Sequence, residues 1–277
     1  MGLLYLNVGD VNLTAHSAIT FKNKYSVSPR MVFFRLRSRI HQYYGFTRKE
    51  LQDLLIAVIV TGFVFSFRDW GAGTAVDILT GIRNLIIVTA LAALSYLVHE
   101  SGHRLSALSV GFKAEFKLWW GGLFASLILA FVSNGIIQLI LPGGLVSSLI
   151  IRQRMGEFRY GLNYWDNGFV AFFGPFANLI LAMAAKVLLY FLPGNWMLQK
   201  LLLMNIVFAI CTMLPIPPLD GVNTFFAGRL LYVILFFTIL GTGLLLYFVP
   251  FIFSILGGIL ITVIATLIYY FKIENPI

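Results

Sequence analysis

Five consecutive residues, His99-Glu100-Ser101-Gly102-His103, contain half of the histidines in a chain that has only four. Two histidines at i and i+4 leave one face of a helix, so both imidazoles can reach a single zinc ion. The glutamate between them stands one step around the helix, where it can reach a water at the metal and act as general base. With four His and five Glu in 277 residues, chance produces this pattern in roughly one chain in a thousand. The residues before it, Leu85 to Val98, are almost wholly apolar. Two histidines and a carboxylate cost several kcal/mol in such surroundings unless they are compensated, so an ionisable cluster there is a functional-site hypothesis by default. A hydrogen-bond cluster between helices is the plainer reading, but such a cluster does not require this spacing.

A catalytic zinc takes a third protein ligand and leaves one position for water. The carboxylates downstream of the motif are Glu115, Glu157, Asp166, Asp220 and Glu274. Asp220 stands apart because it closes the stretch Leu214-Pro215-Ile216-Pro217-Pro218-Leu219-Asp220-Gly221 at the end of an apolar run. The prolines unwind a helix, which at membrane depth is tolerated only where backbone lines a protein cavity. Against this stands an aspartate that merely caps the next segment at the membrane surface.

The elements that must position these residues are hydrophobic helices. Of 277 residues, 59% are hydrophobic and 11% charged, with mean hydropathy +0.88; a soluble domain is about 45–50% apolar and about 25% charged. The apolar residues come in blocks, which predicts spans near 51–67, 84–108, 168–192, 198–214, 230–249 and 251–270. Glycines and prolines at 71–73, 193–194, 215–221 and 250 separate them. The net charge of +9 does not imply nucleic acid, because the basic residues cluster between the apolar blocks as the positive-inside rule expects. Cys211 is the only cysteine, which rules out a disulfide framework or a cysteine-based metal cluster.

Residues 1–50 form a polar N-terminal cytoplasmic or interfacial segment, with alternations near 11–14 and 25–28 that read as short strands. Residues 51–277 form one membrane domain. Arg30, Arg35, Arg37, Arg39, Arg48 and Lys49 place the N-terminus in the cytoplasm, and the C-terminus follows there by parity. Arg104 and Lys113 follow His103, which puts the zinc roughly 10–15 Å inside that face at 1.5 Å per residue. Parity then bears on the block Leu118–Leu141. Its flanks, Lys113, Lys117, Arg152, Arg154 and Arg159, all belong on one side, so it must enter and return. With 24 residues it is too short for two helical crossings, which need about 40. A re-entrant dip is expected, bending at Asn134-Gly135 or Gly121-Gly122, with a β-hairpin in 143–160 beyond it.

Three motifs in order, His99-Glu100-Ser101-Gly102-His103, then Gly174-Pro175-Phe176-Ala177-Asn178, then Pro217-Pro218-Leu219-Asp220-Gly221, resemble those of the site-2 protease family of intramembrane zinc metalloproteases. The likeness covers about residues 84–225 and is to small prokaryotic, archaeal-type members without PDZ or CBS domains. It implies one zinc ion per chain, held by His99, His103 and Asp220, with Glu100 as base. It also implies that Asn178 and Asn205 position the substrate. Pro218-Leu219 stands where many members have Asn-Pro, and Thr212 or Met213 where many have a second Asn. The fold this implies is an all-α polytopic membrane protein of about six transmembrane helices, a re-entrant segment and short membrane-associated β-hairpins. Its partners would be the lipid bilayer and a transmembrane protein or peptide substrate, with no nucleic acid, and its place a multi-pass position in the cell membrane. A prenyl-protein endopeptidase is set aside, because Glu157 is followed four residues on by Gly161 where that family needs Asp. The other reading kept is a non-proteolytic metal-binding membrane protein, a transporter or inactive scaffold; the single broken helix and the retention of Glu100 speak against it.

Overall fold

The computed structural model describes residues 29–71, 77–150 and 163–275. The expected strands near 11–14 and 25–28, Glu157, and the basic residues 152, 154 and 159 lie outside them. Among the described residues the elements run α1 (Pro29–Tyr43), α2 (Arg48–Ser66), α3 (Ile78–Val110), β1 (Phe112–Leu118), α4 (Trp120–Val132), β2 (Gly143–Leu149), α5 (Tyr164–Phe191), α6 (Trp196–Thr212), α7 (Asp220–Ala227), α8 (Arg229–Phe248) and α9 (Phe251–Tyr269). A π turn, Tyr270–Glu274, closes α9.

All six expected spans are helical. Four of them, α3, α5, α8 and α9 with its π turn, are long and apolar enough to cross a membrane. The other two fall short for visible reasons. Helix α2 opens with Arg48, Lys49, Glu50 and Asp53, and α6 has 17 residues, about 26 Å at helical rise.

The ends of these helices are written in local side chains. Thr47 and Glu50 form a reciprocal capping box at the start of α2. Asp77 accepts the Leu79 and Thr80 amides at the start of α3, so α3 begins well before the expected boundary at Asn84. Arg83 and Asn84 lie within it, and the Asn84 amide instead bonds the Asp69 carbonyl at 2.7 Å. Gly111, at φ +91°, ends α3 in the left-handed conformation that glycine adopts without steric cost.

The block 118–141 leaves the sheet and returns to it. Helix α4 has 13 residues, about 20 Å, and its end packs on the far end of α2. The Phe131 ring centroid lies 5.0 Å from that of Phe67 and 5.9 Å from that of Phe63. The chain turns at Asn134 and Gly135, both at positive φ, and residues 136–142 come back with no helix or strand of their own. Non-helical chain reaches at most about 3.3 Å per residue, roughly 23 Å for this arm, so fewer residues can suffice than the roughly 40 that two helical passes need. The return arm rests on protein, with Leu141 packed on Cys211 and Leu219.

The return arm leads into β2, which pairs antiparallel with β1 from Phe112↔Leu149 to Leu118↔Gly143. The sheet thus joins the two ends of the excursion. Of the hairpin expected within 143–160, residues 151–160 lie outside the described part, and the described portion, β2, pairs with β1. Strand β1 has the period-2 pattern of Phe112, Ala114 and Phe116 buried, with Lys113, Glu115 and Lys117 more exposed. That alternation is present in the sequence itself.

Candidate metal centre

Helix α3 crosses α5 closely because both carry small residues at the contact. A Cβ on Gly102 would strike the Phe173 carbonyl, and one on Gly174 would strike the His103 ring. The glycine of the Gly174-Pro175 motif is therefore the space that His103 occupies. One turn apart on α5, two backbone carbonyls serve the two imidazoles. His103 Nδ1 lies 2.9 Å from the Val170 oxygen, and His99 takes the Gly174 carbonyl as a partner. An Nδ1–H donated to a carbonyl leaves Nε2 with its lone pair free for a metal.

The third candidate ligand, Asp220, comes from the chain after α6. Its prolines end that helix at Thr212, and Leu219 and Ile216 turn the backbone through an N–H···O bond of 2.8 Å. The Tyr232 hydroxyl donates to the Met213 carbonyl at 3.0 Å and pins the turn. Asp220 becomes the first residue of α7. The cap position belongs to Leu219, and no side chain caps this helix, so the capping role for Asp220 is not what the structure shows. Its Oδ2 lies 3.2 Å from His99 Nε2 and 3.3 Å from His103 Nε2, and the two Nε2 atoms are 3.1 Å apart. Neither Asp220 oxygen has a hydrogen-bond partner, although the residue is buried.

Three ligand atoms in a nearly equilateral triangle fit a tetrahedral zinc. At ligand distances of about 2.0–2.1 Å, neighbouring donors in a tetrahedron stand about 3.3–3.4 Å apart. Two imidazoles and a carboxylate are also a donor set that catalytic zinc accepts, with the fourth position open. Among the described residues, His99, His103 and Asp220 are the one group of this kind. Of the other carboxylates considered, Glu115 pairs with Lys113 at 2.7 Å, Asp166 meets Asn163 at the start of α5, and Glu274 lies in the closing π turn.

Glu100 is buried and its Oε2 has no partner. It occupies a different face of α3 from the ligands, in line with Tyr96 and Arg104 at four-residue spacing. Tyr96 contacts Phe208 and Phe116 and shares a 3.0 Å hydrogen bond with Thr61. The His99 ring stacks on Phe208 at 4.5 Å.

The two asparagines part company. Asn178 is buried on the third turn of the same α5 stripe, with Nδ2 3.3 Å from His99 Nδ1. The structure thus puts it against His99; with Nε2 turned to a metal, Nδ1 carries the proton and can only donate, so the end of the Asn178 amide able to meet it is its otherwise unpartnered Oδ1. Asn205 is not brought to the centre: its amide donates to Ser95 at 2.9 Å and to the Leu201 carbonyl at 2.8 Å, which makes it a tie between α6 and α3. Its place follows from helical phase, because Ser95 lies a full turn before His99. Arg104 also departs from expectation. It is 2% exposed and marks no membrane face; the seven residues from His103 to the end of α3 put the centre about 10 Å from that helix end.

No family model matches the chain, and no solved structure matches it. A comparison with curated proteins finds a relative in Methanocaldococcus jannaschii that bears the name "Putative zinc metalloprotease". The two are 31% identical over 182 residues, which cover 64% of this chain and 84% of the relative.

Proposed function

We propose that this chain, which belongs to the zinc metalloprotease family of that relative, is an intramembrane protease of the site-2 type that cleaves peptide bonds in or near transmembrane segments. The observation that carries the reading is the His99–His103–Asp220 triangle beside an unpartnered Glu100, on a helix long and apolar enough to cross a membrane. A zinc ion held there would supply a Lewis acid that polarises a scissile carbonyl and acidifies water.

The protein's own groups divide the remaining work. Val170 and Gly174 orient the imidazoles, and Glu100 Oε2 is free to accept a proton from water and return it to the leaving amine. Burial of all four side chains keeps bulk water out and strengthens every charge interaction inside. Strand β2 supports a way to present the substrate. Gly144 packs directly under the Pro218 carbonyl, two residues before Asp220, and among the described residues β1 is the one strand paired with β2. Its other edge suits an extended peptide added by backbone hydrogen bonds, which a transmembrane substrate must become before its amides can be reached.

The test is cleavage of a model transmembrane peptide in detergent by the zinc-loaded protein, beside Glu100→Gln. Turnover by the parent and none by the variant, at equal zinc content, is expected. Zinc bound by both with cleavage by neither would move the chain to the non-proteolytic, metal-binding class.

A further inference from the structure

Arg104 follows His103 directly and lies one helical turn beyond Glu100. A glutamate followed four residues later by a basic residue is the ion-pairing geometry that helices favour, and burial strengthens such an attraction. In the structure Arg104 pairs elsewhere. Its Nη2 binds Oε1 of Glu50, from the first turn of α2. Its Nη1 donates to the Tyr44 and Gly45 carbonyls at 3.3 and 3.4 Å, and the Phe46 ring centroid lies 3.8 Å from its guanidinium carbon. Glu50 is itself held, accepting the Thr47 amide at 3.2 Å and the Phe116 amide of β1 at 2.8 Å. Among the buried atoms without partners are Arg104 Nε and Glu100 Oε2. They belong to consecutive turns of one helix face.

We propose that Glu50 is a positioning residue that captures the Arg104 guanidinium and so keeps Glu100 unpaired for proton transfer. The proposal rests on the reading of Glu100 as the base. A buried guanidinium that loses its partner is strongly destabilised, and the carboxylate one turn back on its own helix is Glu100. Glu50 is the single acid in the run Arg48-Lys49-Glu50, and its value lies in its charge, since a glutamine there could still accept the Phe116 amide.

Glu50→Gln should therefore retain zinc and KM but lose about 100-fold in kcat, the lower range for losing a general base. Adding Arg104→Met should restore most of that loss, because nothing remains to occupy Glu100. A purely structural role for the ion pair predicts the opposite, a double variant at least as poor as the single one. Arginine-selective 15N NMR of the full-length protein in detergent reads the same event without activity. The Arg104 Nε–H resonance should move in Glu50→Gln and move back when Glu100→Gln is added. If the parent cleaves no peptide, the protease reading fails while the resonance still reports on the pair. An unmoved resonance, loss of zinc in Glu50→Gln, or a double variant without recovery overturns the proposal.

Discussion

Glu100 and Asp220 are both buried carboxylates with unpartnered oxygens, yet they should respond to substitution in opposite ways. Asp220 Oδ2 touches both ligand nitrogens, so Asp220→Ala should leave two imidazoles that hold zinc poorly. Metal analysis of the purified variant should find most of it gone, and full occupancy would remove Asp220 from the ligand set. Glu100 lies off that triangle, so Glu100→Gln should keep about one zinc per chain while peptide cleavage falls by 10² or more, the usual range for a general base. Asn178 separates two roles. Standing against His99 Nδ1, it should act on the metal, and Asn178→Ala is expected to weaken zinc binding by about 10- to 100-fold in a chelator titration. Undiminished zinc affinity with a lower kcat would return it to the substrate-positioning role the family resemblance implies.

The centre depends on how α3 and α5 fit as elements. Val170, Gly174 and Asn178 repeat every four residues on α5, against His99 and His103 at the same spacing on α3. Two carbonyls, a gap and an amide thus face two rings in register. Gly174→Ala tests the fit, since its methyl would fall on the His103 imidazole. Overpacking of this kind displaces a side chain at a cost of about 1–3 kcal/mol. The variant should stay folded by circular dichroism in detergent and lose zinc affinity; wild-type affinity would mean that the two helices part without effect on His103. The sheet plays a comparable part on the other side, because β1 is tied to α2 through Glu50 and β2 rests on the turn that presents Asp220.

At the scale of the whole molecule, the excursion from β1 through α4 and back to β2 bears on the parity of membrane crossings. Lys117 and Gly144 are paired neighbours in the sheet, so both ends of the excursion share one side, whichever side that is. Its tip is next to Phe67 and Arg68 at the far end of α2, close to the Lys200–Asp69 ion pair. Cysteines placed at Lys117 and at Val146, both exposed, in a Cys211→Ala background should label from the same face of the membrane. A cysteine at Val132, which is 80% exposed beside the tip, should label from the other. Labelling of Lys117 and Val146 from opposite faces would break the topology.

Residue type and local spacing are enough to disclose the helices, the pair of histidines on one helix face and the Pro-rich turn, because each is a short-range fact. Apolar blocks require helices in lipid, and an i, i+4 repeat puts two imidazoles on one face whatever surrounds them. Tertiary structure alone decided which carboxylate closes the triangle without appeal to resemblance, since Asp220 lies 117 positions beyond His103, with three helices among the described residues between them. It also decided that Asn178 reaches the centre while Asn205 does not, and that Arg104 turns to Glu50 and away from Glu100. These choices rest on helix phase and on which elements cross, quantities set by packing between distant segments. Strand β1 belongs to neither group: its alternation was present in Phe112–Leu118, but its partner lies beyond an intervening helix, and a strand without a visible partner reads as a linker.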